Sequence, residues 1–194
     1  MIVQPLTLQG KLVRLEPLSS DHTEALCNVA FDGGLWQFGL NNLRTIEDVA
    51  RYVENALDEQ RNGKALPFAI IEQASKTVVG STRFGNIDRS NKRVEIGWTW
   101  LAKQWQRTGL NTEAKFLMLR HAFEVWQCIR VEFKTDVLNE QSRAALRRIG
   151  ATEEGIFRKH AITATGRIRD TVYYSIVDDE WGIIKERFLT TLLK

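Results

Sequence analysis

Cysteine is scarce in this chain, and nothing in it calls for a disulfide or a metal. Cys27 and Cys128 are the only two in 194 residues, lie far apart and sit inside the apolar patterns AxxCxxA and VWQCI. They read as small buried hydrophobes rather than a redox pair. The three histidines, His22, His121 and His160, share no metal-ligand spacing with cysteines or acids. No apolar run approaches the roughly 20 residues that cross a bilayer. The opening MIVQPLTLQGKLVRL has no basic segment followed by a hydrophobic core and cleavage site, so the expectation is a cytoplasmic protein. A formal charge of +3, with bases dispersed among acids, gives no nucleic-acid tail. The small cluster Arg143, Arg147 and Arg148 fits a solvated helix face, a nucleic-acid contact or a phosphorylated small molecule. Neither GxxxxGK[ST] nor GxGxxG occurs, which excludes the usual kinase and dehydrogenase loops.

What is present is the material of one soluble domain, expected to span residues 1–194, with a hydrophobic share of 43% and a charged share of 26%. Lys11 to Glu16 reads as a strand, followed by a helix through His22, Ala25, Leu26 and Val29. The aromatic, glycine-containing loop Phe31 to Arg44 leads to a capping box at Thr45 and Asp48. Ile46, Val49, Ala50, Val53 and Leu57 then mark one face of a helix ending near Asn62 and Gly63. Strands follow at Leu66 to Ile71, Thr77 to Phe84 and Arg93 to Leu101. The last should point Val94, Ile96, Trp98 and Trp100 one way and Glu95, Gly97 and Thr99 the other. A long helix from Leu110 to Trp126 precedes a strand through Ile129, Val131 and Phe133. A short helix capped by Asn139 comes next, carrying Ser142, Ala145, Leu146 and Ile149. Strands at Ala151 to Arg158 and Thr171 to Val177 flank the loop HAITATGRIRD, and a helix from Asp179 to Leu189 closes the chain. The three central strands are joined by loops too short for crossover helices, so the fold class is a mixed α/β sheet covered by helices.

The segment from Arg93 to Lys115 carries the most chemistry. An alternating strand runs into a basic turn that opens directly into a helix, leaving backbone N–H groups unpaired beside Arg107. Such a junction suits a phosphate.

Taken together, LVRLEPL, VEIGWTW, QWQRTGLNTEAKFLMLRHAF, NEQSRAALRRIGATEEGIFRKH and DTVYYSIVDDEW resemble the GNAT superfamily of N-acyltransferases, most closely its bacterial ribosomal-protein N-terminal acetyltransferase branch. The resemblance implies a largely antiparallel sheet with a splayed strand pair, acetyl-CoA as cosubstrate without a metal, and an amine acceptor. A homodimer is also implied, and neither nucleic acid nor a membrane is expected as a partner. The superfamily's pyrophosphate loop falls on Gln106, Arg107, Thr108, Gly109, Leu110 and Asn111, followed by Thr112. Asn111 stands where a Gly or Ala is usual. Trp98, Thr99, Trp100 and Leu101 would offer backbone groups to pantetheine, while the two tryptophans also suit a core or cleft wall. Asn139, Ser142 and Arg143 complete the coenzyme set, although Asn139 also suits a plain helix cap.

For chemistry, Glu95 stands as either a base or an electrostatic anchor for the amine, and Ser142 as a hydrogen-bond or water-relay partner of the sulfur. Leu146 occupies the position where many relatives carry a Tyr. The acceptor side is expected from Phe31 to Arg44, Arg83 to Asn86 and His160 to Arg169. Candidate acceptors are a peptide N-terminus or a small amine such as an amino acid, polyamine or amino sugar. A non-catalytic acyl-CoA-binding regulator and a nucleic-acid module using Arg143, Arg147, Arg148, Arg158 and Lys159 are the alternatives.

Overall fold

The computed structural model describes residues 1–31 and 33–194. Eight strands form one sheet: β1 (Leu8–Gln9), β2 (Val13–Pro17), β3 (Leu66–Glu72), β4 (Val78–Asp88), β5 (Arg93–Leu101), β6 (Arg130–Asp136), β7 (Thr152–Ile162) and β8 (Ile168–Val177). Their order is β1-β2-β3-β4-β5-β6-β8-β7. Five helices accompany them: α1 (Thr23–Ala30), α2 (Ile46–Arg61), α3 (Leu110–Arg120), α4 (Glu140–Arg148) and α5 (Asp178–Arg187). Among the described residues, no helix is long and apolar enough to cross a membrane.

Local sequence explains several boundaries. The Asp48 backbone N–H donates to Thr45 Oγ1 at 3.1 Å and Asp48 Oδ2 accepts from the Thr45 backbone N–H at 3.1 Å, so the capping box forms as expected. The buried stripe of α2 is Val49, Tyr52, Val53 and Ala56. Ile46 and Ala50, expected on it, are exposed, because the helix meets the sheet a fraction of a turn later. β4 runs on to Asp88 through part of the anticipated turn GNIDRSN, and β7 and β8 likewise extend through most of HAITATGRIRD.

One apolar cluster lies between the sheet and the face covered by α3 and α5, spanning both halves from Leu15 to Ile176. A second, around Leu26, Tyr52, Val53 and Trp100, lies under α1 and α2 and covers only the N-terminal half of the sheet. The opposite half, β6 to β8, is therefore left open on that side.

Among the described residues β5 and β6 are the only parallel neighbours, and they pair at just three positions: Arg93 with Arg130, Val94 with Val131, and Glu95 with Glu132. Beyond Glu95 the strands diverge, and the wedge between them is the origin of the site. Trp98 adds a second irregularity. Its φ of 50° lies in the left-handed region, and the β4–β5 register slips between Ser81 opposite Trp100 and Arg83 opposite Gly97. This bulge corrects the simple alternation expected for β5. Thr99 turns to the α3 face, bonding Thr82 and Lys115, whereas Trp98 joins Trp100 on the α2 face. Such a backbone costs about 1–3 kcal/mol. The Trp98 indole recovers packing by lying over Gly85, where any Cβ would sit 2.3 Å from the ring, and under the Arg83 guanidinium, 5.1 Å from the ring centre.

Candidate active site

The wedge opens into a cleft of about 840 Å³ bounded by β5, β6, the N-terminus of α3, α4, the α1–α2 loop and the β7–β8 hairpin. One end of it is built by the turn before α3. The backbone N–H groups of Arg107, Thr108, Gly109, Asn111 and Thr112 find no acceptor among the described residues, whereas Leu110 N–H reaches Thr108 Oγ1 at 3.4 Å. They stand at the positive end of an 11-residue helix. Arg107, with φ 58°, supplies the left-handed residue of the turn, not Gly109, whose φ is −68°. Gly109 is needed for a different reason: a Cβ there would come within 2.7 Å of Leu12 Cδ1. Leu110 is buried in the core, so it offers the site its backbone alone.

Asn111 lines the cleft, and its buried Oδ1 has no partner. A buried acceptor of this kind is completed by a donor from outside the chain. Gln106, also in the cleft wall, is fixed by its Nε2 donating to Leu101 O at 3.0 Å. These features fit a pyrophosphate with its ribose, and the diverging strand edges fit an amide-bearing arm laid along β5 from Trp98 to Leu101.

Asn139 and Ser142 face the cleft from the start of α4. Asn139 Oδ1 accepts from the Ser142 backbone N–H at 3.0 Å, so the capping role holds while its residue remains part of the wall. Arg143, expected with the coenzyme set, does not line the cleft: it turns to Val137 O at 3.1 Å, Glu140 at 2.7 Å and the outer strands. Arg148 takes that place, lining the cleft and donating to Thr112 Oγ1 at 2.8 Å. The two arginines are five residues apart, about 140° around a helix, so only one can face inward.

Glu95 is 6% exposed, and its Oε2 accepts from Asn86 Nδ2 at 2.7 Å and Lys134 Nζ at 2.6 Å. Burial works against the Lys134 ammonium, but the hydrogen bond and charge of Glu95 win, and its pKa is raised. Its ammonium lies 5.0 Å from the centre of the Tyr173 ring. A second, charged groove of about 1180 Å³ lies beyond this pair, where Arg93 and Arg130 already pair with Asp88, Glu132 and Glu154.

Lys115 was not among the site residues expected from the sequence. It is 6% exposed, donates to Thr99 Oγ1 at 2.6 Å, and burial pushes its pKa down to about 7. Glu113, equally hidden, holds β2 against α3 by accepting from the N–H groups of Lys11, Leu12 and Val13 at 2.9, 2.7 and 2.8 Å. Both residues make contacts far away in sequence, which no local pattern announces.

On the acceptor side, Gly34 to Asn41, Asn86, His160, Ala161 and Arg169 line the cleft. Asp32, within the expected acceptor loop, lies outside the described residues. Arg83 does not line the cleft: it is buried against Tyr52 and Trp98 and paired with Glu59 at 2.7 Å. Trp36 packs edge-on against Trp100 at 5.2 Å, so the loop is anchored in the second core while its flank borders the cleft. Among the described residues no group of three or more His, Cys, Asp or Glu could hold a metal ion.

Comparison with known proteins agrees with this architecture. The profile of the family described as "Acetyltransferase (GNAT) domain" matches residues 13–152. A Bacillus subtilis (strain 168) protein named "Putative ribosomal N-acetyltransferase YdaF" is 37% identical over 105 residues, 54% of this chain and 56% of that protein. The chain thus spans little more than half the length of that relative. A solved GCN5-related N-acetyltransferase from Brucella melitensis is 30% identical, with a TM-score of 0.90 over 98% of this chain and 86% of that one. Mycobacterium smegmatis RimJ, solved in complex with CoA-disulfide, shares the fold at 24% identity, with a TM-score of 0.81 over 95% of this chain and 94% of that one. The unpaired amides before α3, the β5–β6 wedge and the matched family together assign the protein: this chain belongs to the GNAT superfamily of acetyl-CoA-dependent N-acetyltransferases.

Proposed function

We propose that the acceptor is the N-terminal amine of a protein or peptide, acetylated by direct attack inside the cleft. The observation that carries this reading is the wedge itself. It leaves a polar-edged channel on the coenzyme side, and on the other side a long open wall along β6 and β8 that suits an extended chain better than a compact small molecule. The likeness to a protein named as a ribosomal N-acetyltransferase points the same way.

Acetyl-CoA, when bound, supplies an acetyl thioester; the residues suited to hold it are the Arg107 to Thr112 amides, Arg107, Arg148, the backbone from Trp98 to Leu101, and Asn139. In the transfer a C–N bond forms, the C–S bond breaks, the amine gives up a proton and the departing thiolate takes one. Glu95 serves the incoming amine first as an anchor. One oxygen is already occupied by Lys134 and Asn86. Its Oε1, beside Gly97, remains to attract the substrate ammonium, with water carrying the proton away. Ser142, at the first turn of α4, donates to the sulfur as charge builds there.

A thiol-release assay with acetyl-CoA and a panel of amino-terminal peptides and small amines, with mass detection of the product, tests the reading. Acetylated peptide termini are expected. Turnover confined to small amines would overturn the acceptor class, and no turnover on any amine would overturn the catalytic reading.

A further inference from the structure

The acceptor wall is not neutral. β8 places Arg169, Thr171 and Tyr173 on one face by strand alternation, and β6 sets Lys134 opposite Tyr173 and Asp136 opposite Thr171. Two of the wall's charges are spoken for. Lys134 is bonded to Glu95, and Asp136 is bonded to Arg167. Arg169 is different: it is 8% exposed, lines the cleft, and donates Nε to Thr171 Oγ1 at 3.1 Å. Among the described residues no carboxylate lies within ion-pair distance of it. Its surroundings disfavour the charge: burial, with the nearby Arg167, pulls its pKa below the ordinary arginine value, and the charges of Asp136 and Glu95 only partly offset this. A guanidinium cannot lose its proton at physiological pH, so an uncompensated one in a desolvated wall favours a counter-charge from whatever occupies the cleft.

We propose that Arg169 is the anion seat of the acceptor site, and that the acceptor is a peptide whose N-terminal amine is followed, two or three residues in, by a carboxylate side chain. The substrate class follows from spacing. Four residue steps along β8 lead from Arg169 to Tyr173, which marks the Lys134–Glu95 pair, and they span about 13 Å of strand. Side chains reaching in from both ends shorten that gap. An extended peptide advances about 3.3 Å per residue, so an acidic side chain at the second or third position bridges it. The carboxylate of a free amino acid sits too close to its own amine to do so. The same charge disfavours polyamines and amino sugars, whose further cations would meet Arg169. Arg169 thus selects the acceptor, while Glu95 orients its amine. This inference rests on the peptide reading above and narrows it.

The test measures steady-state rates for the full chain with acetyl-CoA and Ser-Asp, Ser-Ala-Glu, Ser-Ala and Ser-Lys peptides otherwise alike, together with free glutamate and spermidine. The acidic peptides are expected to exceed the alanine peptide at least tenfold in kcat/KM, mainly through KM. That preference should vanish in Arg169→Met and partly return in Arg169→Lys, with the KM for acetyl-CoA unchanged. Because Arg169→Met risks misfolding, glutarate is added to the unaltered protein. It should compete with the peptide and not with acetyl-CoA. Equal rates on acidic and alanine peptides, an acidic preference that survives in Arg169→Met, faster turnover of free glutamate or spermidine, or glutarate without effect would each overturn the proposal. If no amine is acetylated, the catalytic reading fails, and calorimetry of acidic against alanine peptides in the presence of coenzyme A still decides the seat: tighter acidic binding supports it and equal binding overturns it.

Discussion

Replacing Lys115 by Met is expected to stabilise the protein near neutrality and to erase part of its pH dependence. The amine is buried and its pKa is near 7, against 10.5 when solvated. Between those values the unfolded chain holds a proton that the folded chain does not, so stability rises with pH across that window. Below pH 7 the whole penalty is present, and above about 10.5 it is gone. At 1.36 kcal/mol per pKa unit, the penalty is about 4 kcal/mol at pH 7.5 and about 1.4 kcal/mol at pH 9.5. The methionine forfeits the hydrogen bond to Thr99, worth about 1 kcal/mol. Thr99 and Thr82 keep each other at 2.7 Å, so no hydroxyl is orphaned. The net gain at pH 7.5 is about 3 kcal/mol, or a rise in Tm of roughly 6–12 °C for a chain of this size. Denaturant melts of both proteins from pH 6 to 10.5 isolate the effect, because other titrating groups cancel in the difference. That difference should shrink by about 2.5 kcal/mol between pH 7.5 and 9.5. A constant difference, or a variant less stable at pH 7.5, would refute the reasoning.

Glu113→Ala removes one carboxylate that serves three backbone N–H groups. A loss of about 3–5 kcal/mol is expected from chemical denaturation, and a loss under 1 kcal/mol would show that water replaces the carboxylate at little cost. Glu95→Gln should lower kcat at least tenfold while the Kd for coenzyme A, read by calorimetry, stays within twofold; unchanged turnover would remove Glu95 from the reaction. Arg148→Ala should raise the KM for acetyl-CoA several-fold and leave acceptor KM unchanged, whereas Arg143→Ala should leave the KM for acetyl-CoA unchanged, since only Arg148 borders the cleft. Equal effects of the two arginines on that KM would contradict this division.

Features set by neighbours in the chain were legible in the sequence. Thr45 and Asp48 satisfy each other three residues apart, and Gly150, with φ 96°, follows directly on the C-cap of α4. The loop before α3 was also legible, since its amides are left unpaired by the start of the helix itself. Features set by a partner strand were not. The Trp98 bulge depends on how β4 runs beside β5, so an alternating pattern could not reveal that Thr99 changes face. Helical phase hid the exchange of Arg143 for Arg148, because Leu146 and Ile149 fix which side of α4 meets the core. Arg169 fell within the segment expected to face the acceptor, yet its lack of an ion-pair partner among the described residues emerges only once Asp136 is seen to bond Arg167 instead.

The three-position contact between β5 and β6 also bears on how the protein folds. β1 to β5 form an antiparallel succession in which each strand pairs with the next in the chain, and β6 to β8 form a second antiparallel set. Each is held by antiparallel pairings internal to it, whereas only three parallel register positions join the two, so the junction is the least cooperative part of the sheet. The cleft therefore follows a seam between two folding units, bridged beneath by α3. Opening along such a seam breaks few hydrogen bonds, so amide exchange should be fastest at its edges in the empty protein and should slow most there when coenzyme A binds.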